Sequence, residues 1–169
     1  MKIIFVRHGN DDSNGKLTRM GKKQARLVCL ELDYENIDKI YCSPTTRTRE
    51  TADIISKKLK INNICIDARI TERDKLHTNL PQKEIDEFNK NYLNPKFSRT
   101  NPEGCKEYVD RIFDFLNDII KNNPQNSTVL IVGHSSMLYA INAYIYKTPK
   151  TKDIIWTRIG NCGKICYEV

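Results

Sequence analysis

Two histidines each lie one residue beyond one of the two strongest strand-like stretches of the sequence. His8 comes after the apolar run 3–6, and His134 comes after the run 128–132. Continuous apolar, β-branched runs are typical of buried strands, and the chemistry of an open α/β sheet lies beyond the carboxyl ends of its strands. A pair of imidazoles suits covalent transfer of a phosphoryl group, because one ring can attack while the other donates hydrogen bonds to the oxygens.

The residues beside His8 fit an anionic substrate. Arg7 supplies a cation, and Gly9 leaves the backbone room to approach a ligand. The alternative interpretation is an ordinary strand-to-loop boundary, and either histidine alone could equally be structural. The matched pair favours function. The third histidine, His77, lies in an irregular stretch and is interpreted as a surface residue.

Alternating strand and helix patterns indicate the scaffold behind these residues. Beyond the runs that precede the histidines, strands are predicted at 39–42, 64–66, 154–159 and 164–169, and helices at about 18–32, 44–59, 82–92, 103–121 and 135–146. Thr18 and Ser43 are the expected helix caps. The apolar face of the first helix is expected to comprise Met20, Leu27, Val28 and Leu32.

This alternation predicts an α/β protein, a three-layer α/β/α sandwich with a mainly parallel central sheet. No linker, repeat or low-complexity tract interrupts it, so we expect a single domain spanning residues 1–169. A hydrophobic content of 39% with 29% charged residues is that of a soluble globular protein. No apolar run has the length of a membrane span or of a signal peptide core.

Six cysteines are scattered through the sequence without metal-ligand spacing. This pattern predicts reduced thiols in a cytoplasmic protein, with no metal site. The net charge of +7 comes largely from lysines dispersed through helices, without interleaved aromatic residues. We therefore interpret it as a solvated surface and expect no nucleic-acid or membrane partner. The charge is compatible with a phosphorylated substrate.

The sequence resembles the histidine phosphatase superfamily, the group that contains the cofactor-dependent phosphoglycerate mutases and many small phosphatases. The resemblance extends from end to end, and its motifs occur in the family's order: Arg7-His8-Gly9, Leu17-Thr18-x-x-Gly21-x-x-Gln24-Ala25, Ser43 to Ala52, Ile70-Thr71-Glu72, and Gly133-His134. The resemblance implies a phosphoglycerate mutase-like fold. It also implies a metal-independent phosphomonoester hydrolase, without a cofactor, that acts through a phosphohistidine on a small phosphorylated metabolite.

The motifs also assign roles to individual residues. By resemblance, His8 is the nucleophile, Glu72 is the proton donor and His134 is the second histidine. The phosphate ligands are expected to be Arg7, Asn14, Arg47 and Ser135, the last through the backbone N–H groups at a helix N-terminus. The physical chemistry agrees, since an arginine can grip two phosphate oxygens in a fork that lysine cannot reproduce. Arg49, on the same predicted helix as Arg47, is interpreted as solvated.

Several positions depart from the family's pattern. Asn10 and Asp11 follow Arg7-His8-Gly9 where Glu or Gln and then Ser or Thr are usual. An acid at position 11 is unfavourable beside a phosphate pocket unless it points away. Ser135 stands where Gly is common, and Arg73 to Leu76 replace a Gly-rich segment. Arg73, Lys75, His77 and Lys83 could contact an anionic substrate tail, or could be solvated.

Three alternatives to the hydrolase stay open. One is a phosphoglycerate mutase-type phosphotransferase, which the short stretch from Glu72 to Glu103 disfavours. Another is a protein-phosphohistidine phosphatase, which Glu72 disfavours because those compact members typically lack this residue. The last is a non-catalytic module that binds phosphate for regulation, which Asp11 alone favours.

Overall fold

A five-stranded sheet forms the centre of the computed structural model, which describes residues 1–72, 105–147 and 159–169. Its strand order is β3-β2-β4-β1-β5, and β5 alone runs antiparallel to its neighbour. The strands are β1 (Lys2–Arg7), β2 (Lys39–Cys42), β3 (Ile64–Ile66), β4 (Thr128–Gly133) and β5 (Lys164–Glu168). The predicted mainly parallel α/β sheet is therefore confirmed.

Helices cover both faces of this sheet. They are α1 (Arg19–Leu32), α2 (Thr46–Leu59), a short 3₁₀ turn (Ala68–Ile70), α3 (Cys105–Asn122) and α4 (Met137–Ile145). One core forms where α1 and α2 pack over Ile4 and Val6 of β1, and the other where α3 and α4 pack over Ile3 and Phe5. The alternation of β1 side chains thus serves both layers of the α/β/α sandwich.

Helix α1 confirms one expectation and corrects another. The Thr18 hydroxyl accepts the Gly21 N–H at 3.0 Å, as expected of an N-cap. The predicted apolar face was wrong at two positions, since Met20 is 58% exposed and Leu27 is 52% exposed. The buried stripe consists instead of Gly21, Ala25, Val28, Cys29 and Leu32. Three of these five residues, Gly21, Ala25 and Cys29, are small and let the helix approach its neighbours closely.

The start of α2 also differs from the prediction. Thr45, not Ser43, is the N-cap residue of this helix. Ser43 is completely buried, and its hydroxyl binds a histidine at the sheet edge. The predicted helix at 82–92 and all but Ile159 of the predicted strand at 154–159 lie outside the described residues. Within the described ranges, no helix has both the length and the apolar character needed to cross a bilayer.

Candidate active site

The two histidines meet at the carboxyl edge of neighbouring strands. β1 and β4 pair in parallel with Arg7 opposite Gly133, so the residues that follow them emerge side by side. The His8 N–H donates to the Gly133 carbonyl at 3.0 Å. The ring centroids of His8 and His134 are 5.3 Å apart, and the ring planes are inclined at 61°. The sequence pattern correctly predicted this pairing of imidazoles.

The hydrogen bonds of His8 determine its tautomer. Nδ1 lies 2.8 Å from the Gly9 carbonyl, and Nε2 accepts the Nε–H of Arg47 at 3.2 Å. A guanidinium can only donate and a carbonyl can only accept, so Nδ1 carries the proton and Nε2 presents a lone pair. Burial lowers the pKa of His8 below its ordinary value, and the cations of Arg47 and Arg7 lower it further. A neutral ring with an available Nε2 is what a nucleophile requires.

The backbone around His8 is fixed from several sides. Thr51 of α2 accepts the Gly9 N–H at 3.1 Å, and the Asn161 side chain donates to the His8 carbonyl at 3.1 Å. A Cβ on Gly9 would lie 2.7 Å from the backbone oxygen of Gly21, so α1 packs directly on this turn. Sequence analysis did not single out Thr51 or Asn161 for this role. Thr51 belongs to the motif from Ser43 to Ala52, which was an available signal, whereas no sequence pattern pointed to Asn161.

Arg47 lies near the start of α2 and connects the other groups. Besides donating to His8, its Nη2 donates to Glu72 Oε2 at 2.6 Å and lies 3.4 Å from Nδ1 of His134. This one side chain thus touches three of the predicted site residues. Arg49, two positions further along the helix, is exposed, in agreement with its interpretation as a solvated residue.

Glu72 follows the 3₁₀ turn and is directed toward Arg47 and His134. Its Oε2 lies 3.7 Å from Nδ1 of His134 as well as 2.6 Å from Arg47. Its side chain is 17% exposed, so it is reached from solvent but largely enclosed. A carboxyl in this place can exchange a proton with a group held between the histidines.

Ser43 holds the second histidine in place. The Ser43 Oγ lies 3.0 Å from Nε2 of His134, and both residues are completely buried. Because this bond fixes the Nε2 edge, the Nδ1 edge of His134 faces Arg47 and Glu72. This contact was not predicted from the sequence, in which Ser43 was expected to cap a helix. Its position at the end of β2, beside β4, was the available signal.

Arg7 contributes a buried donor. Its Nη1 donates to the Ile159 carbonyl at 2.9 Å, which anchors the side chain against the C-terminal segment. Its Nε is buried and has no hydrogen-bond partner among the described residues. Buried donors are almost always paired, so an unpaired one calls for an explanation. An oxyanion bound beside His8 is an acceptor of the right kind.

Two predicted phosphate ligands are not brought into hydrogen-bond contact with these groups. Asn14 is exposed, and its backbone N–H donates to Asp12 Oδ1 at 2.9 Å. Ser135 follows His134 and is half-buried, with its carbonyl accepting the Leu138 N–H at 3.3 Å. Arg73, Lys75, His77 and Lys83 lie outside the described residues.

Asp11 does not point away from the site. Its Oδ1 lies 3.8 Å from Nδ1 of His8, and its Oδ2 lies 3.7 Å from Nε of Arg47. The condition under which an acid at this position would be harmless, that it points away from the phosphate pocket, is therefore not met. Its carboxylate lies beside the His8 ring, between Nδ1 and the guanidinium of Arg47. Among the described residues there is no group of three or more His, Cys, Asp or Glu side chains that could hold a metal ion.

Paired imidazoles, a forked cation and a carboxyl at the carboxyl edge of a parallel sheet define a class of α/β phosphoryl-transfer proteins. Comparison with known proteins identifies the family. Residues 3–167 match the model of the histidine phosphatase superfamily, branch 1. The chain belongs to this superfamily, which confirms the predictions of family, fold and a phosphatase of the histidine phosphatase type.

Individual relatives agree with this assignment. Phosphoserine phosphatase 1 of Hydrogenobacter thermophilus is 31% identical over 186 residues, covering 100% of this chain and 85% of the relative. A probable phosphoglycerate mutase of Escherichia coli is 27% identical over 166 residues, covering 88% of this chain and 76% of the relative. The solved structure of a mycobacterial glucosyl-3-phosphoglycerate phosphatase superposes with a TM-score of 0.79 at 17% identity, covering 98% and 88% of the two chains. This last likeness concerns the fold.

Proposed function

We propose that the protein is a metal-independent phosphomonoesterase that acts through phospho-His8 on a small phosphorylated metabolite. The observation that carries the proposal is the tautomer of His8, whose Nδ1–H is held by the Gly9 carbonyl while Nε2 keeps its lone pair toward the site. A neutral, oriented imidazole can attack phosphorus directly. The relatives that are named phosphatases support a small phosphate ester as the substrate.

The reaction proceeds in two steps. His8 Nε2 attacks phosphorus while the ester P–O bond breaks, and the carboxyl of Glu72 gives its proton to the leaving oxygen. Water then attacks the phosphohistidine, Glu72 takes up a proton from that water, and the Nε2–P bond breaks. Arg47 and Arg7 neutralise the charge on the phosphoryl oxygens, which is the main contribution a protein makes to phosphoryl transfer.

Supporting groups complete the proposed pocket. His134 presents to the phosphoryl group the Nδ1 edge that Ser43 directs toward Arg47 and Glu72. Asn14 and the backbone at Ser135 are proposed as outer phosphate ligands that engage when substrate binds.

The elements described here share one sheet, which supports one domain spanning residues 1–169. Five free cysteines among the described residues support a reducing, cytoplasmic location.

The test is hydrolysis of a generic aryl phosphate in the presence of a metal chelator. We expect turnover in the wild type and none in His8→Ala. Glu72→Gln is expected to slow turnover, and the loss should grow as the leaving group becomes more basic, because only a poor leaving group needs the proton. Acid-labile phosphate recovered on His8 by mass spectrometry completes the test. Unchanged activity in His8→Ala contradicts the proposal.

A mutase is the second candidate, since one relative carries that name. The distinction is kinetic, because a mutase returns the phosphoryl group to substrate whereas a hydrolase gives it to water. We expect 3-phosphoglycerate to be hydrolysed faster than it is isomerised. The reverse order would assign the protein to the mutases. Binding of inorganic phosphate without turnover of any ester would instead indicate a regulatory module.

A further inference from the structure

We propose that Asp11 is a positioning residue whose carboxylate stabilises the positive charge that the His8 ring acquires on taking the phosphoryl group. This inference rests on the proposed phosphohistidine mechanism and extends it to a residue that departs from the family's pattern. The Asp11 Oδ1 atom lies 3.8 Å from Nδ1 of His8. That distance exceeds a hydrogen bond, so the interaction is electrostatic.

The charge arises from the chemistry of the ring. Before attack, His8 is neutral, with one proton on Nδ1. When Nε2 donates its electron pair to phosphorus, the ester P–O bond breaks and its electron pair leaves with the oxygen, which takes the proton of Glu72. The Nδ1 proton stays in place, so the ring becomes a phosphoimidazolium cation. The Gly9 carbonyl at 2.8 Å offers a dipole to this cation, whereas Asp11 offers a full negative charge.

The other charged groups around His8 make this contribution necessary. Arg47 and Arg7 are cations that oppose a positive ring, and both lower the pKa of His8. Glu72, whose Oε2 lies 2.6 Å from Arg47, enters this step as the proton donor of the leaving oxygen and carries no charge before attack. Asp11 acts in the opposite direction and raises the pKa of His8. The same carboxylate lies 3.7 Å from Arg47 Nε and restrains the side chain that contacts the ring.

The loop that carries Asp11 holds it in this orientation. The Asp11 backbone pairs with Leu17 in an isolated antiparallel bridge. The next residue, Asp12, closes the turn by accepting the backbone N–H groups of Asn14 at 2.9 Å and Lys16 at 3.0 Å. Asp12 is exposed, whereas the Asp11 side chain is 29% exposed. Two adjacent aspartates thus have separate tasks, one structural and one electrostatic.

The experiment is a rapid-quench measurement with an aryl phosphate that separates formation of phospho-His8 from its hydrolysis. Asp11→Asn removes the charge at constant size, and Asp11→Glu restores it. Asp12→Asn is the matched control, because it makes the same change in net charge and loosens the same loop. Nuclear magnetic resonance titration of the His8 ring, assigned with His8→Ala, provides a readout that needs no turnover.

We expect Asp11→Asn to slow formation of phospho-His8 by about tenfold, as is reasonable for loss of a close, partly exposed charge. Hydrolysis of phospho-His8 should not slow, because a less stabilised imidazolium is the better leaving group. The steady-state amount of phosphoenzyme should therefore fall, and the pKa of His8 should decrease. Asp11→Glu should recover most of the rate of formation. A damaged loop would slow both steps and would not lower the pKa.

Three results would overturn the inference. One is equal rates of formation in the wild type and Asp11→Asn, and another is an equal loss in Asp12→Asn. The third is a loss in Asp11→Glu as large as that in Asp11→Asn, because charge would then not matter. These results leave the proposed function intact as long as the wild type forms phospho-His8. Absence of phospho-His8 in the wild type overturns the function and this inference together.

Discussion

Arg47 donates its Nε–H to Nε2 of His8 at 3.2 Å, so it engages the lone pair that attacks phosphorus in the proposed mechanism. The same guanidinium binds Glu72 at 2.6 Å. A phosphate placed for attack has to accept the hydrogen bonds of these N–H groups in place of the His8 and Glu72 side chains. In the proposed mechanism, phosphate binding therefore frees His8 and Glu72 together, because both contact the same residue.

Replacement of Arg47 tests this coupling. Arg47→Lys keeps a positive charge but loses the fork that spans His8 and Glu72, and a lysine cannot grip two phosphate oxygens at once. We expect kcat/KM for an aryl phosphate to fall by about 100-fold or more, the scale seen when one transition-state donor is removed. Arg49→Lys, an exposed position on the same helix, serves as the control and should retain nearly full activity. Equal losses in both variants would contradict the assignment.

Ser43→Ala tests the support of the second histidine. The substitution removes the 3.0 Å contact with Nε2 of His134 and lets the buried ring rotate. We expect kcat to fall by about tenfold with a smaller change in KM, and the free energy of unfolding to drop by about 1–2 kcal/mol. Steady-state kinetics and urea denaturation measure the two effects.

Ser56→Ala is the matched control for that variant. Ser56 also donates a side-chain hydrogen bond, to the Ile61 carbonyl at 2.8 Å, but at the far end of α2. It should lose stability without losing activity. If both variants retained full kcat, Ser43 would be a purely structural residue.

Three features could be predicted from the sequence: the histidines that follow strands, the family and the sheet. Each of them depends on local sequence patterns. Apolar runs of β-branched residues mark β1 and β4 whatever surrounds them. Their parallel pairing then brings His8 and His134 to one edge without further information. The motif register likewise assigned Arg47 rather than Arg49, and the structure places Arg47 between the two rings.

The missed features all depend on tertiary contacts. Ser43 was predicted from the sequence to be a helix cap. Its burial beside β4 instead makes a bond to His134 more favourable than capping α2. Met20 and Leu27 are large and apolar, but α1 is rotated so that Gly21 meets the turn after His8. The direction of the Asp11 carboxylate depends on the fold of its loop, which no periodicity encodes.

Gly21→Ala tests that close approach. A Cβ at position 21 would lie 2.0 Å from the Asn10 carbonyl oxygen, a backbone atom that cannot rotate away. We expect the free energy of unfolding to fall by about 1–3 kcal/mol, and activity to fall because the displaced loop carries His8. Gly160→Ala, where a Cβ would meet nothing within 4 Å, should change stability by less than about 0.5 kcal/mol. Similar unfolding midpoints for the two variants in urea would contradict the close approach.

The lowered pKa of His8 predicts how stability depends on pH. Burial is the main cause of the shift, so the folded protein binds a proton at His8 less readily than the unfolded chain, whose histidine has its ordinary pKa near 6.5. Above that pH the ring is neutral in both states, and His8 adds no pH dependence. As the pH falls through 6.5 the unfolded state gains the proton first, so stability decreases, and the decrease ends below the folded pKa.

His8→Asn keeps an amide that can donate to the Gly9 carbonyl but does not titrate, so it should lose less stability than the wild type between pH 7 and 5. Urea denaturation across that range measures the difference, and identical pH slopes in the two proteins would show that His8 is not held neutral.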